Sequence, residues 1–147
     1  IYGIGTDIIE VKRIRAMFER HGDRACDRLL TATEQAASGK FADPHPHIAG
    51  RFAAKEAVLK ALGTGLIGAM RWRDIEVRSD PHGRPIVTVS GDVGAETEKR
   101  KISRIHLSIS HTAEYAVAYA VAETYSADPP ENAGSGEPPG AEQSINK

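Results

Sequence analysis

The sequence predicts an α+β fold, and three observations carry that prediction. An alternating apolar stretch opens the chain. A long helix, apolar nearly all the way round, occupies its middle. Two β-hairpin patterns, separated by a further helix, follow it.

Tyr2 to Val11 alternates apolar with small or polar residues and is expected as a strand. From Val11 to His21 the spacing becomes helical: Val11, Ile14 and Phe18 share an inward face, while Arg13, Met17 and Arg20 share another. Gly22 ends this helix. Asp23 to Leu30 reads as a second short helix, and Thr31-x-x-Glu34 as the capping box of a third. Asp43-Pro44-His45-Pro46-His47 is expected as a turn or loop. The longest helix runs from Ile48 to Leu62 and stops at Gly63. Asp74–Ser79 and Pro85–Ser90 are strands around the turn Asp80-Pro81-His82-Gly83. Asp92 is expected to cap a helix running to about Lys101. Arg104–His111 and Tyr115–Glu123 form the second hairpin, with Ile105, Leu107 and Ile109 on one face and His106, Ser108 and Ser110 on the other.

At 147 residues and 15.8 kDa the chain suits one domain over 1–125, and 40% hydrophobic residues suffice for a core. After Ser126, proline, glycine, serine and acids dominate, so 126–147 is expected as a disordered tail. No apolar run is long enough to span a membrane, and no charged-then-apolar leader opens the chain. One cysteine, Cys26, fits a reducing cytoplasm. The net charge of −1 argues against bulk nucleic-acid binding. The charge is uneven, however: the tail carries −3, leaving +2 on the first 125 residues. Between Val11 and Arg28 six basic residues face three acidic ones. That pattern is either a solvated helix face or a surface for an acidic partner.

Two carboxylates sit where a carboxylate is costly to desolvate. Asp7 lies in the strand pattern Gly3-Ile4-Gly5-Thr6-Asp7, whose glycines permit close backbone approach, and Glu56 lies on the apolar helix. Either each forms a salt bridge, with Lys12 and Lys60 as partners, or the two meet around Mg²⁺, which needs only one or two carboxylates besides water and phosphate oxygens. Lys60 follows Glu56 by one turn and either pairs with it or neutralises a phosphate. At 100° per residue Glu56 lies about 140° from Arg51, and Lys60 about 40° beyond Glu56, so Glu56 and Lys60 share an edge separate from that of Arg51 and Lys55. Ser110 and His111 end a strand and present a hydroxyl and an imidazole. Other patterns lead nowhere. Gly63-Thr64-Gly65-Leu66-Ile67-Gly68 follows a helix instead of a strand, so the dinucleotide-binding context fails. His45 and His47 lack the spacing and companions of a zinc site. Ser108 or Ser110 with His111 is no hydrolase triad by sequence alone.

Three segments together, IYGIGTDIIEVKRI at 1–14, RFAAKEAVLKALGTG at 51–65 and LSISHT at 107–112, resemble bacterial holo-acyl-carrier-protein synthases of the 4′-phosphopantetheinyl transferase family. The resemblance covers about residues 1–125, including DIEVRSDPHGRPIV at 74–87. It implies an antiparallel sheet wrapped around a long central helix. It also implies transfer of 4′-phosphopantetheine from coenzyme A to a serine of apo acyl carrier protein, in support of fatty acid biosynthesis. By the same resemblance Asp7 and Glu56 would ligate Mg²⁺, with Lys60 on a phosphate, these three forming the catalytic set. Arg51, Gly63, Gly65, Ser110 and His111 would line the coenzyme A cleft, with Gly83, Arg84 and Pro85 reaching it from a neighbouring subunit of a homotrimer. Arg13, Met17, Arg20 and Arg24 would dock the carrier protein. Two other readings use the same residues: a Mg²⁺-dependent pyrophosphohydrolase without a protein partner, and a binding module for an acidic protein or RNA.

Overall fold

The computed structural model describes residues 1–125; the tail expected to be disordered lies outside the described residues. The chain forms, in order, β1 (Gly3–Glu10), α1 (Val11–His21), α2 (Asp23–Leu29), α3 (Ala32–Ser38), α4 (His45–Leu62), β2 (Ile75–Ser79), β3 (Pro85–Val89), α5 (Gly91–Lys99), β4 (Ile102–His111) and β5 (Tyr115–Thr124). A 3₁₀ turn, Trp72–Asp74, precedes β2. β1, β5 and β4 make an antiparallel sheet in that order, and β2–β3 is a separate hairpin.

The sheet curls around α4, and its inner surface is built from very small side chains. Ala116, Ala118, Ala120 and Ala122 of β5 are buried against Ala53, Ala57 and Ala61 of α4 and their neighbours. On β1 a Cβ added at Gly5 would lie 2.0 Å from the Ala57 carbonyl oxygen, and one at Gly3 would lie 2.2 Å from that of Ala61. The strand thus rides directly on the helix backbone, as the paired glycines suggest. Branched side chains fill the other side of α4: Ile14, Leu59, Leu62, Ile75 and Val93 are wholly or almost wholly buried. Truncating one of these to alanine costs about 2–5 kcal/mol.

Gly63, at a φ of 76°, ends α4 in the left-handed conformation, its N–H donating to Leu59 and Lys60 carbonyls. The helix starts three residues earlier than expected. Asp43–His47 is not simply a loop: α4 begins at His45, because the Asp43 carboxylate accepts from the His45 N–H and proline is tolerated in a first turn. The Thr31–Glu34 capping box is present on α3. Asp92 does not cap α5. The helix begins at Gly91 with Ser90 as its cap position, and it ends at Lys99 because Lys101 turns the chain at a φ of 56°. None of the helices among the described residues is long and apolar enough to cross a membrane. On the outer face of the three-stranded sheet the β1–β5 part carries exposed apolar side chains in the isolated chain, with Ile4, Ile8 and Tyr119 at 73%, 65% and 59% exposure, while β4 contributes His106, Ser108 and Ser110.

Candidate active site

β1 carries Gly3, Gly5, Asp7 and Ile9 on its inner face, since side chains alternate along a strand. The tight glycine contact that seats β1 on α4 therefore also delivers Asp7 to the helix edge bearing Glu56 and Lys60. The Lys60 ammonium donates to Asp7 Oδ1 and to the Thr6 carbonyl, both at 2.9 Å. The expected pair of Lys60 with Glu56 does not form, because β1 offers Lys60 these two acceptors. The Lys12 alternative also fails: Lys12 is exposed and pairs with Glu10 at 2.9 Å. Glu56 is half-buried, and none of the hydrogen bonds or ion pairs among the described residues engages its carboxylate. Burial, and then the negative charge of Asp7, push the Glu56 carboxyl above its ordinary range, while Lys60 pulls it back.

Two carboxylates within electrostatic reach, one of them without a partner, fit a hard divalent cation such as Mg²⁺. No group of three or more potential ligands exists among the described residues. Such a site leaves coordination positions for water and substrate oxygens, which is how magnesium is ordinarily held.

A second cluster lies on the other side of α4. Arg51 is buried at 7% exposure and donates from Nη2 to Ser79 Oγ at 3.0 Å. Its Nε and the His47 Nε2 are buried without partners. Phe41, His47, Arg51, Ser79, Pro85 and His111 line a cavity of about 220 Å³, which Gly83 also borders. His47 stacks on Phe41 at 4.7 Å between ring centroids. Burial, then the charges of Arg51 and His111, lower its pKa to about 4. A buried guanidinium with a free N–H, beside two imidazoles, is an anion-binding arrangement.

Expected site residues divide between these places. Asp7, Glu56 and Lys60 come together on the β1 side, and Gly63 and Gly65 follow at the end of α4. Arg51 and His111 come together on the β4 side. The resemblance set Gly83 and Pro85 on a neighbouring subunit; the fold puts them beside Arg51 and His111 in the same chain. Arg84 faces a broader groove of about 580 Å³ between β3 and β4. Ser110 points away from the cavity: it pairs with Val117 on the exposed outer face, while Ile109 and His111 alternate inward. Sequence reasoning missed His47 and Ser79. The sequence offers His47 only as a failed zinc-ligand candidate, and nothing in it marks Ser79 as the partner of Arg51.

A third feature is a groove of about 500 Å³ where α1 and α2 meet α4. Met17, Arg24, Arg28, Leu29, Phe52 and Trp72 line it, an apolar floor under a basic rim. Arg13 and Arg20 are exposed on α1 nearby, and their positions follow the helical spacing read from the sequence.

The family model described as the 4′-phosphopantetheinyl transferase superfamily matches residues 3–120. The holo-[acyl-carrier-protein] synthase of Dechloromonas aromatica is 54% identical over 123 residues, spanning 84% of this chain and 98% of that protein. Among solved structures, the holo-[acyl-carrier-protein] synthase of Neisseria meningitidis superimposes with a TM-score of 0.78 at 39% identity, covering 84% of this chain and 99% of that one. That of Bacillus anthracis, in complex with CoA (3′,5′-ADP), gives a TM-score of 0.71 at 40% identity, covering 85% and 98%.

Proposed function

Since the chain belongs to the 4′-phosphopantetheinyl transferase superfamily, we propose that it works as a holo-acyl-carrier-protein synthase through the residues assembled on α4. The reaction moves the 4′-phosphopantetheine group of coenzyme A onto a serine of apo acyl carrier protein, releasing adenosine 3′,5′-bisphosphate, in support of fatty acid biosynthesis. The observation that carries the assignment of chemistry is the meeting of Asp7, Glu56 and Lys60 on one edge of α4.

Asp7 and Glu56 would hold Mg²⁺. When bound, the ion supplies Lewis-acid neutralisation of the pyrophosphate charge. Lys60, already oriented by Asp7 and the Thr6 carbonyl, places a positive charge where the phosphate oxygens gain negative charge. The serine Oγ attacks the phosphorus bearing the pantetheine arm, and the bond from that phosphorus to the bridging pyrophosphate oxygen breaks. The serine proton needs an acceptor, and the Glu56 carboxylate is the candidate. A pKa raised toward the operating pH improves a general base. The Arg51–His47–His111 cavity, with its unpaired guanidinium N–H, suits a phosphate of the nucleotide portion.

Within one chain these two halves do not face each other. Asp7 sits on edge strand β1 opposite Ala118, and His111 ends the other edge strand, β4, opposite Ala116. β5 and α4 intervene, and Arg51 lies about 140° round the helix from Glu56. A coenzyme A seated between two copies would touch one half from each. A homotrimer with its sites between subunits supplies that arrangement, and the exposed apolar side chains on the outer face of the sheet support an association of this kind. Arg13, Met17, Arg20 and Arg24, next to the apolar groove, form the docking surface for the carrier protein, whose acidic surface complements their charge. The lone, half-buried thiol of Cys26 suits a reducing compartment, and a cytoplasmic location belongs to the same proposal.

The test is intact-protein mass spectrometry of an apo acyl carrier protein incubated with this protein, coenzyme A and Mg²⁺. The expected result is a gain of one phosphopantetheine unit that EDTA abolishes. Release of adenosine 3′,5′-bisphosphate without carrier modification would instead point to a pyrophosphohydrolase.

A further inference from the structure

Lys55 is fully buried in the middle of α4, one residue before Glu56 and three after Phe52. Its ammonium has three N–H donors, and three acceptors converge on them. These are the Leu29 carbonyl at 2.5 Å, Glu34 Oε2 at 2.8 Å and the Trp72 carbonyl at 3.2 Å. The Glu34 carboxylate, also fully buried, accepts in addition from the N–H groups of Thr31 and Val77, both at 2.8 Å. No part of this network reaches the phosphate-handling residues.

A buried ion pair is a poor source of stability, since well-packed apolar residues commonly do as well. What it specifies here is position. The Leu29 carbonyl is one of those left unpaired at the end of α2, and the Trp72 carbonyl belongs to the 3₁₀ turn. Leu29 and Trp72 are two walls of the groove beneath the basic helices, and Phe52, on Lys55's own helix, is a third. One cation therefore joins three walls that come from three separate elements.

We infer that Lys55 is a positioning residue for carrier-protein docking, holding the groove walls of α2 and the 3₁₀ turn in register with α4. This inference rests on the reading of the groove as the docking surface. Trp72 is the one tryptophan of the chain, so its emission reports on that groove directly.

The experiment titrates apo acyl carrier protein into this protein without coenzyme A and follows Trp72 fluorescence. It compares the unmodified chain with Glu34→Gln and with Lys55→Met/Glu34→Gln. The double variant removes both charges, so no unpaired ion is left buried. Circular dichroism checks that each is folded, and Glu34→Gln alone decides if the double variant is not. The expected carrier Kd rises about tenfold in the double variant and about threefold in Glu34→Gln, a tenfold change corresponding to about 1.4 kcal/mol. The KM for coenzyme A, and kcat at saturating carrier, stay within about twofold. Unchanged carrier Kd, or parallel losses in the coenzyme A KM and kcat, would overturn the inference. If Trp72 emission of the unmodified chain ignores carrier at concentrations that support turnover, the docking reading itself fails, independently of Lys55.

Discussion

Gly5→Ala tests how the fold places the catalytic carboxylate. The added Cβ would stand 2.0 Å from the Ala57 carbonyl oxygen, 2.6 Å from the Ala61 nitrogen and 2.9 Å from the Lys60 Cβ, where real contacts stay above 3.0 Å. Two of these neighbours are backbone atoms of a helix and cannot rotate away. β1 must therefore retreat from α4 by about 1 Å, the scale of overpacking that costs about 1–3 kcal/mol. Asp7 is two residues further along the same strand face and moves with it, away from Glu56 and Lys60. A displacement of about 1 Å at a reacting centre is enough to cost about 10²-fold in rate. Gly3→Ala is the control. Its Cβ would meet the Ala61 carbonyl oxygen at 2.2 Å, but it lies four positions from Asp7. The two variants should lose similar thermal stability, while Gly5→Ala loses far more kcat. Thermal melts and the mass-shift assay measure these quantities. Equal activity losses, or a Gly5→Ala protein with unaltered melting and turnover, would refute the idea that glycine contact positions the carboxylate.

Three further outcomes follow from the same geometry. Asp7→Ala and Glu56→Ala should each lower turnover by more than about 10²-fold while remaining folded; normal turnover of both in saturating Mg²⁺ would remove the metal assignment. Glu56→Ala and Arg51→Ala, each inactive alone, should regain activity when unfolded and refolded together at equal amounts, to about a quarter of the unmodified rate if subunits mix at random. No recovery in mixed oligomers would mean that each chain completes its own site. The pH dependence turns on His47, whose pKa is lowered to about 4 by burial and then by the charges of Arg51 on its own helix and His111 of β4. An imidazole is normally half-protonated near about 6.5, so the unfolded chain binds the proton more readily over this interval. The stability it contributes is present above that pH and is lost as pH falls toward about 4. His47→Phe keeps a ring against Phe41, and its melting temperature should decline less than that of the unmodified chain over that acid range.

Much of the molecule was legible in one dimension. The spacing of Val11, Ile14 and Phe18 fixed the orientation of α1, because helical periodicity is local. Thr31 and Glu34 announced their capping box for the same reason. The G-x-G-x-D pattern already permitted β1 to lie close against another backbone, since glycine at positions 3 and 5 removes two successive Cβ atoms from one strand face. It also put Asp7 on that face. The start of α4 and the cap of α5 were misplaced because each depends on a small local competition. The Asp43 carboxylate accepts from the N–H of His45, where α4 begins with Pro46 in its first turn, and Gly91 begins α5 beside the Asp74 carboxylate. The alanines at every second position of β5 build the tight inner sheet face, a pattern the sequence reading passed over.

The sequence by itself determined the element types, the apolar helix around which everything packs, and the sharing of one helix edge by Glu56 and Lys60. These follow from periodicities of 2.0 and 3.6 residues. Only the tertiary structure decided the partners. Lys60 took Asp7 instead of Glu56, and Arg51 took Ser79 from 28 residues away. Lys55, which helical spacing grouped with Arg51, became the buried centre joining α2, α3 and the 3₁₀ turn. A charged side chain states its demand for a counter-charge or acceptor locally. Which distant element meets that demand depends on strand order and helix placement, and these arise from the packing of the whole core.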